Sequence, residues 1–185
     1  MNHIYLDYAN VMADVIGEEH GISQSELNSH KETYIKAHKD LVTQRNSDFM
    51  FFSLPAYKEN LDDIKKTAAH IRDRFENVVL LGIGGSGLGP LSIFKALKHP
   101  YFNDLSAEKR DAPKFYVMDN VDPDYMEQLE DVIDFNKTAF LVITKSGSTA
   151  ETISSFMYML GLVKDKYGLD PKEHFFFITD PEKGK

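Results

Sequence analysis

Two short stretches concentrate the groups in this chain that could hold an anion. Gly82-Ile83-Gly84-Gly85-Ser86-Gly87-Leu88-Gly89-Pro90 is rich in glycine and carries one hydroxyl. Thr144-Lys145-Ser146-Gly147-Ser148-Thr149-Ala150-Glu151-Thr152 gathers hydroxyls and a lysine around a single glycine. Glycine lets the backbone adopt positive φ and come close to a ligand. A turn that leads from a strand into a helix points unbonded N–H groups, backed by the helix dipole, at whatever occupies the crevice. A phosphate monoester presents three acceptor oxygens and about two negative charges, and Ser86, Ser146, Ser148, Thr149 and Lys145 supply donors and one compensating cation.

Other readings compete. The first stretch could be a glycine-rich turn with no ligand. Gly82, Gly84 and Gly87 also satisfy the dinucleotide pattern G-x-G-x-x-G. That pattern calls for an acidic residue about 20 residues further on, and Asp119 lies well beyond that distance. In the second stretch Ser148 and Glu151 have capping-box spacing, which predicts a helix start there and gives both a structural role. The nucleotide P-loop spacing G-x-x-x-x-G-K-[ST] is absent.

The flanking elements explain why both stretches would face one crevice. Asn77–Ile83 is a continuous apolar run ending in glycine that reads as a strand buried on both faces, and Lys114–Asp119, Ala139–Thr144 and His174–Asp180 read as three further strands. Helical stripes alternate with them: Leu61, Ile64, Ala68, Ile71 and Phe75 after an Asn60 cap; Leu91, Phe94 and Leu97 after Pro90 in a first turn. Met126, Leu129 and Val132 follow an Asp122 cap, and Ile153, Phe156, Met157 and Leu160 form the last stripe. This rhythm predicts an α/β fold with a doubly wound parallel sheet of order 2-1-3-4, the flavodoxin-like order. Strands one and three are then neighbours, and the crevice opens between their carboxyl ends. Residues 1–55 read as an N-terminal helical arm of two or three helices. The plug Phe49–Pro55 is expected to dock it onto the main domain, 56–185. Stopping just after a fourth strand, the sequence reads as C-terminally truncated.

Composition narrows the class of function. The net charge of −8 opposes binding to nucleic acid, whose affinity comes largely from neutralised phosphates. No apolar run approaches the roughly 20 residues of a membrane span, and the first residues lack the layout of a signal peptide. The chain has no cysteine, which excludes a disulfide framework, a thiol nucleophile and a thiolate metal site. A cytoplasmic location is the expectation.

Gly82–Pro90 and Thr144–Thr152 resemble the sugar isomerase (SIS) domain, and more closely the N-terminal half of the glucose-6-phosphate isomerase family. Leu54-Pro55, Asp119-Asn120 and Phe177-Ile178-Thr179-Asp180-Pro181 support the likeness, which extends from about Phe49 onward. By position, Gly85 and Ser86 match the family's first substrate contact. Thr144, Lys145, Ser146, Gly147, Ser148 and Thr149 match its phosphate loop. The family more often has serine at the position of Thr144 and a larger residue at that of Gly147.

The resemblance implies interconversion of glucose 6-phosphate and fructose 6-phosphate, in glycolysis and gluconeogenesis, by an intramolecular oxidoreductase that uses no metal or organic cofactor. It implies proton transfer through a cis-enediol with a glutamate as base. A histidine and a lysine assist ring opening, and an arginine stabilises the enediolate. Those four groups are expected beyond Lys185, so no catalytic residue is assigned within this chain, and the fragment alone is expected to be inactive. None of the histidines from His3 to His174 sits in a matching motif, so all read as surface or core residues. The resemblance also implies a homodimer for the complete enzyme. A SIS-type regulatory module that binds a sugar phosphate, or an isomerase of another phosphosugar, remain alternatives.

Overall fold

A computed structural model describes residues 5–47 and 50–180. The chain divides into two compact units, Met1–Leu61 and Asp62–Lys185.

The first unit is helical. It contains α1 (Ala13–Ile16), α2 (Gln24–Ser29), α3 (Lys31–Thr43) and a 3-10 segment at Met50–Ala56. Helix α2 opens with a complete capping box: the Glu26 N–H donates to Ser23 Oγ at 3.2 Å, and the Ser23 N–H donates to Glu26 Oε2 at 2.8 Å. A parallel bridge joins Met12 to Ile22. None of the described residues of this unit is buried. Phe49 of the aromatic plug lies outside the described residues; Phe51 stacks on Phe52 with ring centroids 4.3 Å apart, and both are exposed.

The second unit alternates helix and strand: α4 (Leu61–Arg74), β1 (Asn77–Leu81), α5 (Gly85–Leu97), β2 (Lys114–Met118), α6 (Pro123–Glu130), β3 (Thr138–Ile143), α7 (Ala150–Gly161), α8 (Pro171–His174) and β4 (Phe175–Ile178). The strands form one sheet of order β2-β1-β3-β4, every pair parallel. This is the expected order. Every residue of β1 is buried, as its continuous apolar run demands of a central strand covered on both faces.

Alternation along the strands builds two cores. Val79, Leu81, Phe140 and Val142 pack with Met126 and Leu129 of α6 and Met159 of α7 on one face. Val78 and Ala139 pack with Ile71 of α4 and Phe75 on the other. Phe94 of α5 meets Phe115 of β2 at 4.9 Å on this second side. Helices therefore flank the sheet on both faces, the doubly wound arrangement.

The outer edge of β2 is sealed by one side chain. Asn103 donates from Nδ2 to the Phe115 carbonyl at 2.8 Å and accepts the Phe115 N–H on Oδ1 at 2.9 Å. A carboxamide carries the same donor and acceptor as a peptide, so it stands in for a neighbouring strand and blunts the edge.

Several elements differ from the sequence reading. Helix α5 starts at Gly85, and Pro90 lies inside it, not in its first turn. Tight contact of Gly87 with Gly82 holds that early turn in place. Leu61 and Ile64 on α4, Leu97 on α5, and Val132 beyond α6 are exposed. Helix α6 stops at Glu130, so Val132 leaves the stripe and Ile133 takes the buried place. His174 ends α8 and precedes β4. It is buried, with Nδ1 2.8 Å from the Thr138 carbonyl.

Candidate functional site

Both hydroxyl-rich stretches leave the sheet at the carboxyl ends of adjacent strands. Leu81 pairs with Val142, so Gly82 and Ile143 emerge side by side. A Cβ on Gly82 would stand 3.0 Å from the Ile143 carbonyl oxygen and 3.1 Å from Ser86 Cβ. The first turn is thus pressed against the end of β3.

Gly84 carries the chain from β1 into α5 at φ 56° and ψ −129°, a conformation essentially restricted to glycine. Gly87 packs so closely over Gly82 that an added Cβ would lie 2.4 Å from the Gly82 carbonyl oxygen. Two of the three fingerprint glycines, Gly82 and Gly87, therefore serve backbone packing. Gly85 faces open space, with nothing within 4 Å of a built Cβ, and Ser86 is half-buried beside it. No side chain caps α5.

The second turn is braced from within. Thr144 is buried, and its Oγ1 accepts the Gly147 N–H at 3.2 Å and lies 3.3 Å from Thr149 Oγ1. Its own N–H donates to the Ile178 carbonyl at 3.1 Å, tying the loop to β4. Gly147 has φ 71°, where a Cβ would be strained. Ser148 donates from Oγ to Ser146 Oγ at 3.0 Å. Lys145, Ser146 and Ser148 are exposed, and Lys145 has no carboxylate partner among the described residues.

The expected capping box at Ser148 and Glu151 does not form. Helix α7 starts at Ala150 with Thr149 as N-cap and no side-chain cap bond, because Ser148 turns toward Ser146. The first intrahelical bond is from the Ile153 N–H to the Thr149 carbonyl. The amides of Ala150, Glu151 and Thr152 are left without an acceptor among the described residues. In the same unit α6 and α8 close their first turns with Asp122 and Asp170. The two helices that start beside the crevice have no such side-chain cap: α7 leaves its first-turn amides open, whereas in α5 the Ser86 and Gly87 N–H groups donate to the Ile83 and Gly84 carbonyls at 3.2 and 3.1 Å. That arrangement can accept an anion by backbone N–H, hydroxyl and lysine together.

A close-packed seam beneath the turns brings together Gly82, Asp119, Asn120, Glu151, Thr152 and Ser155. Thr152 and Ser155 are buried there. The sequence places Thr152 at the end of the second stretch without a role and gives no sign of Ser155, since a polar residue inside an amphipathic helix carries no signal until the turn it faces is known. Among the described residues no three His, Asp or Glu side chains converge as metal ligands would. No helix among them is long and apolar enough to cross a membrane.

A family model described as phosphoglucose isomerase matches residues 55–179, a span that holds both turns and the whole sheet. The chain belongs to the phosphoglucose isomerase family. Among curated relatives, a glucose-6-phosphate isomerase of Carboxydothermus hydrogenoformans is 42% identical over 97% of this chain and 39% of its own length. One from Fusobacterium nucleatum is 33% identical over 100% of this chain and 41% of its own. The chain thus spans about two fifths of these phosphoglucose isomerases. Among solved structures, a hypothetical protein of Thermus thermophilus superposes with a TM-score of 0.70 at 28% identity, covering 86% of this chain and 36% of that one. A glucose-6-phosphate isomerase of Chlamydia trachomatis gives 0.57 at 26% identity, covering 68% of this chain and 23% of that one.

Proposed function

We propose that this chain supplies the phosphate-holding part of an aldose–ketose isomerase that interconverts glucose 6-phosphate and fructose 6-phosphate. The observation that carries this reading is the pair of uncapped helix starts, α5 and α7, side by side at the ends of β1 and β3. The phosphate sits between them. Gly85 and Ser86 line one wall. Lys145, Ser146, Ser148 and Thr149 line the other, with Thr144 and Gly147 shaping the loop. Two helix dipoles and the Lys145 charge hold a dianion locally against a net charge of −8.

The groups that move protons lie outside these residues, in the part of the family polypeptide this chain does not match. Residues 1–55 form a helical arm and 56–185 the first SIS domain, a division supported by the family match beginning at residue 55. The complete enzyme is a cytoplasmic homodimer, as the family resemblance implies.

Isothermal titration of the 185-residue chain with glucose 6-phosphate tests the site. Ser146→Ala and Thr149→Ala each remove one hydrogen bond to a charged ligand, worth about 1.5–3 kcal/mol, or roughly a 10- to 100-fold loss of affinity. Unchanged affinity in both variants refutes the assignment. The unmodified chain should show no turnover in a coupled isomerase assay, and measurable turnover would place the chemistry within these residues.

A further inference from the structure

Lys145 stands where an amine would meet the reactive end of a bound phosphate compound. The residue before it is fixed in place. Thr144 is buried, its N–H donates to the Ile178 carbonyl at 3.1 Å, and its Oγ1 accepts the Gly147 N–H at 3.2 Å. Lys145 itself is exposed, and among the described residues no carboxylate lies within ion-pair distance of it. Lys98, Lys137 and Lys166, by contrast, are each held by an acid. Ser146 Oγ receives the Ser148 N–H at 3.3 Å and the Ser148 hydroxyl at 3.0 Å, so its own proton is left to donate elsewhere. The N–H groups of Ala150, Glu151 and Thr152 are open as well. Donors for a departing phosphate and an uncommitted amine therefore meet on one turn.

We propose, resting on the phosphate reading above, that Lys145 is a modification site that takes an acyl group from an acyl phosphate held at this turn. An acyl phosphate is a mixed anhydride. Its phosphate end meets the same donors as a sugar phosphate, and its carbonyl carbon lies one bridging oxygen from phosphorus. Unprotonated Nζ attacks that carbon. A C–N bond forms, the bond from carbon to the bridging oxygen breaks, and the phosphate leaves with the proton that the amine gives up. The products are an N-acyl lysine and inorganic phosphate. Ser146 and the open amides of α7 meet the charge of the leaving phosphate. Holding both reactants on one turn makes the step effectively intramolecular, which singles out Lys145 among the exposed lysines. The amide product is neutral. The turn thereby loses its cation and, with it, part of its hold on a phosphate dianion. Acylation of Lys145 is thus a switch that lowers the affinity of the site for its sugar phosphate.

Acetyl phosphate is the probe. The 185-residue chain is incubated with it, and acetylation of each lysine is followed over time by peptide mass spectrometry. Lys109, exposed and far along the sequence from the turn, is the reference. Lys145 should react about tenfold faster or more, at a rate that saturates as acetyl phosphate rises. Glucose 6-phosphate should abolish that excess and leave Lys109 unchanged. Acetic anhydride, which carries no phosphate, should modify the two lysines at similar rates. Chain acetylated at Lys145 should bind glucose 6-phosphate roughly 10- to 100-fold more weakly in the titration above. Equal rates at Lys145 and Lys109 with acetyl phosphate overturn the inference, and so does an excess that glucose 6-phosphate leaves standing. A comparable excess with acetic anhydride also overturns it, assigning the selectivity to the amine alone. Unchanged affinity after acetylation overturns the switch. Binding of glucose 6-phosphate without selective acetylation sinks this inference alone, whereas a titration with no binding sinks the phosphate site together with it.

Discussion

Replacing Gly87 with alanine tests how the first turn is built. The new methyl would lie 2.4 Å from the Gly82 carbonyl oxygen and 3.3 Å from Asp119 Cβ. Ordinary carbon–oxygen contact is about 1 Å longer, so α5 or the end of β1 must move by that amount. Neither yields easily. Gly82 is bound through its N–H to the Met118 carbonyl at 3.2 Å, and it also abuts Ile143. Overpacking typically costs about 1–3 kcal/mol, and a backbone clash belongs at the upper end. Alanine returns about 1 kcal/mol of helix propensity. The net is a loss of about 2 kcal/mol, or roughly 6–10 °C in Tm for a unit of this size. Gly85→Ala and Gly89→Ala, on the same helix, meet nothing within 4 Å. Each should gain about 0.5–1 kcal/mol. Thermal melts followed by circular dichroism, with urea titrations as a check, compare the three. If Gly87→Ala is as stable as Gly85→Ala, the packing account of the turn is wrong.

Two further outcomes are expected. Asn103→Ala removes both hydrogen bonds along the outer edge of β2; a loss of about 1–2 kcal/mol and faster amide exchange at Phe115 should follow, read by hydrogen exchange. Glu130 accepts from Lys166 Nζ, from Tyr167 OH at 3.2 Å and from Tyr158 OH at 3.3 Å. Burial pushes its carboxyl up, but these donors outweigh burial and hold it below the usual value. Its contribution is therefore complete above the unfolded value near 4.3 and is lost as pH falls through the lower folded one. Lys166 is 56% exposed, which screens the ion pair. Glu130→Gln should cost about 1 kcal/mol at pH 7, and its urea midpoint should converge with that of the parent as pH falls through the lowered folded value.

The strands and their order were legible because each is a compact apolar run, and the run at β1 ends in glycine. An all-buried run such as Val78–Leu81 suits only a central strand. The second turn was legible as a donor cluster, since hydroxyls around Gly147 are read straight from the sequence. Helix starts were not. Glycine and proline at 84–90 read locally as loop, yet Gly87 against Gly82 keeps the first turn of α5 helical. Ser148 and Glu151 have the right spacing for a cap, but spacing does not reveal that Ser146 competes for the Ser148 hydroxyl. The stripes on α4 and α5 were overestimated for a related reason. Periodicity says which side chains share a face, and only packing says how much of that face meets the sheet.

The place of β1 has a consequence during protein synthesis. It is the first strand made, yet it lies between two strands made later. Thr138, which opens β3, follows Asn77 by 61 residues. At roughly 5–20 residues per second the ribosome needs on the order of 3–12 s to deliver it. Through that interval Val78-Val79-Leu80-Leu81, an uncharged and strongly strand-forming run, has at least one unpaired edge. Arg72, Asp73, Arg74 and Glu76 stand immediately before the run and glycines follow it. Such flanking residues discourage intermolecular stacking of nascent chains.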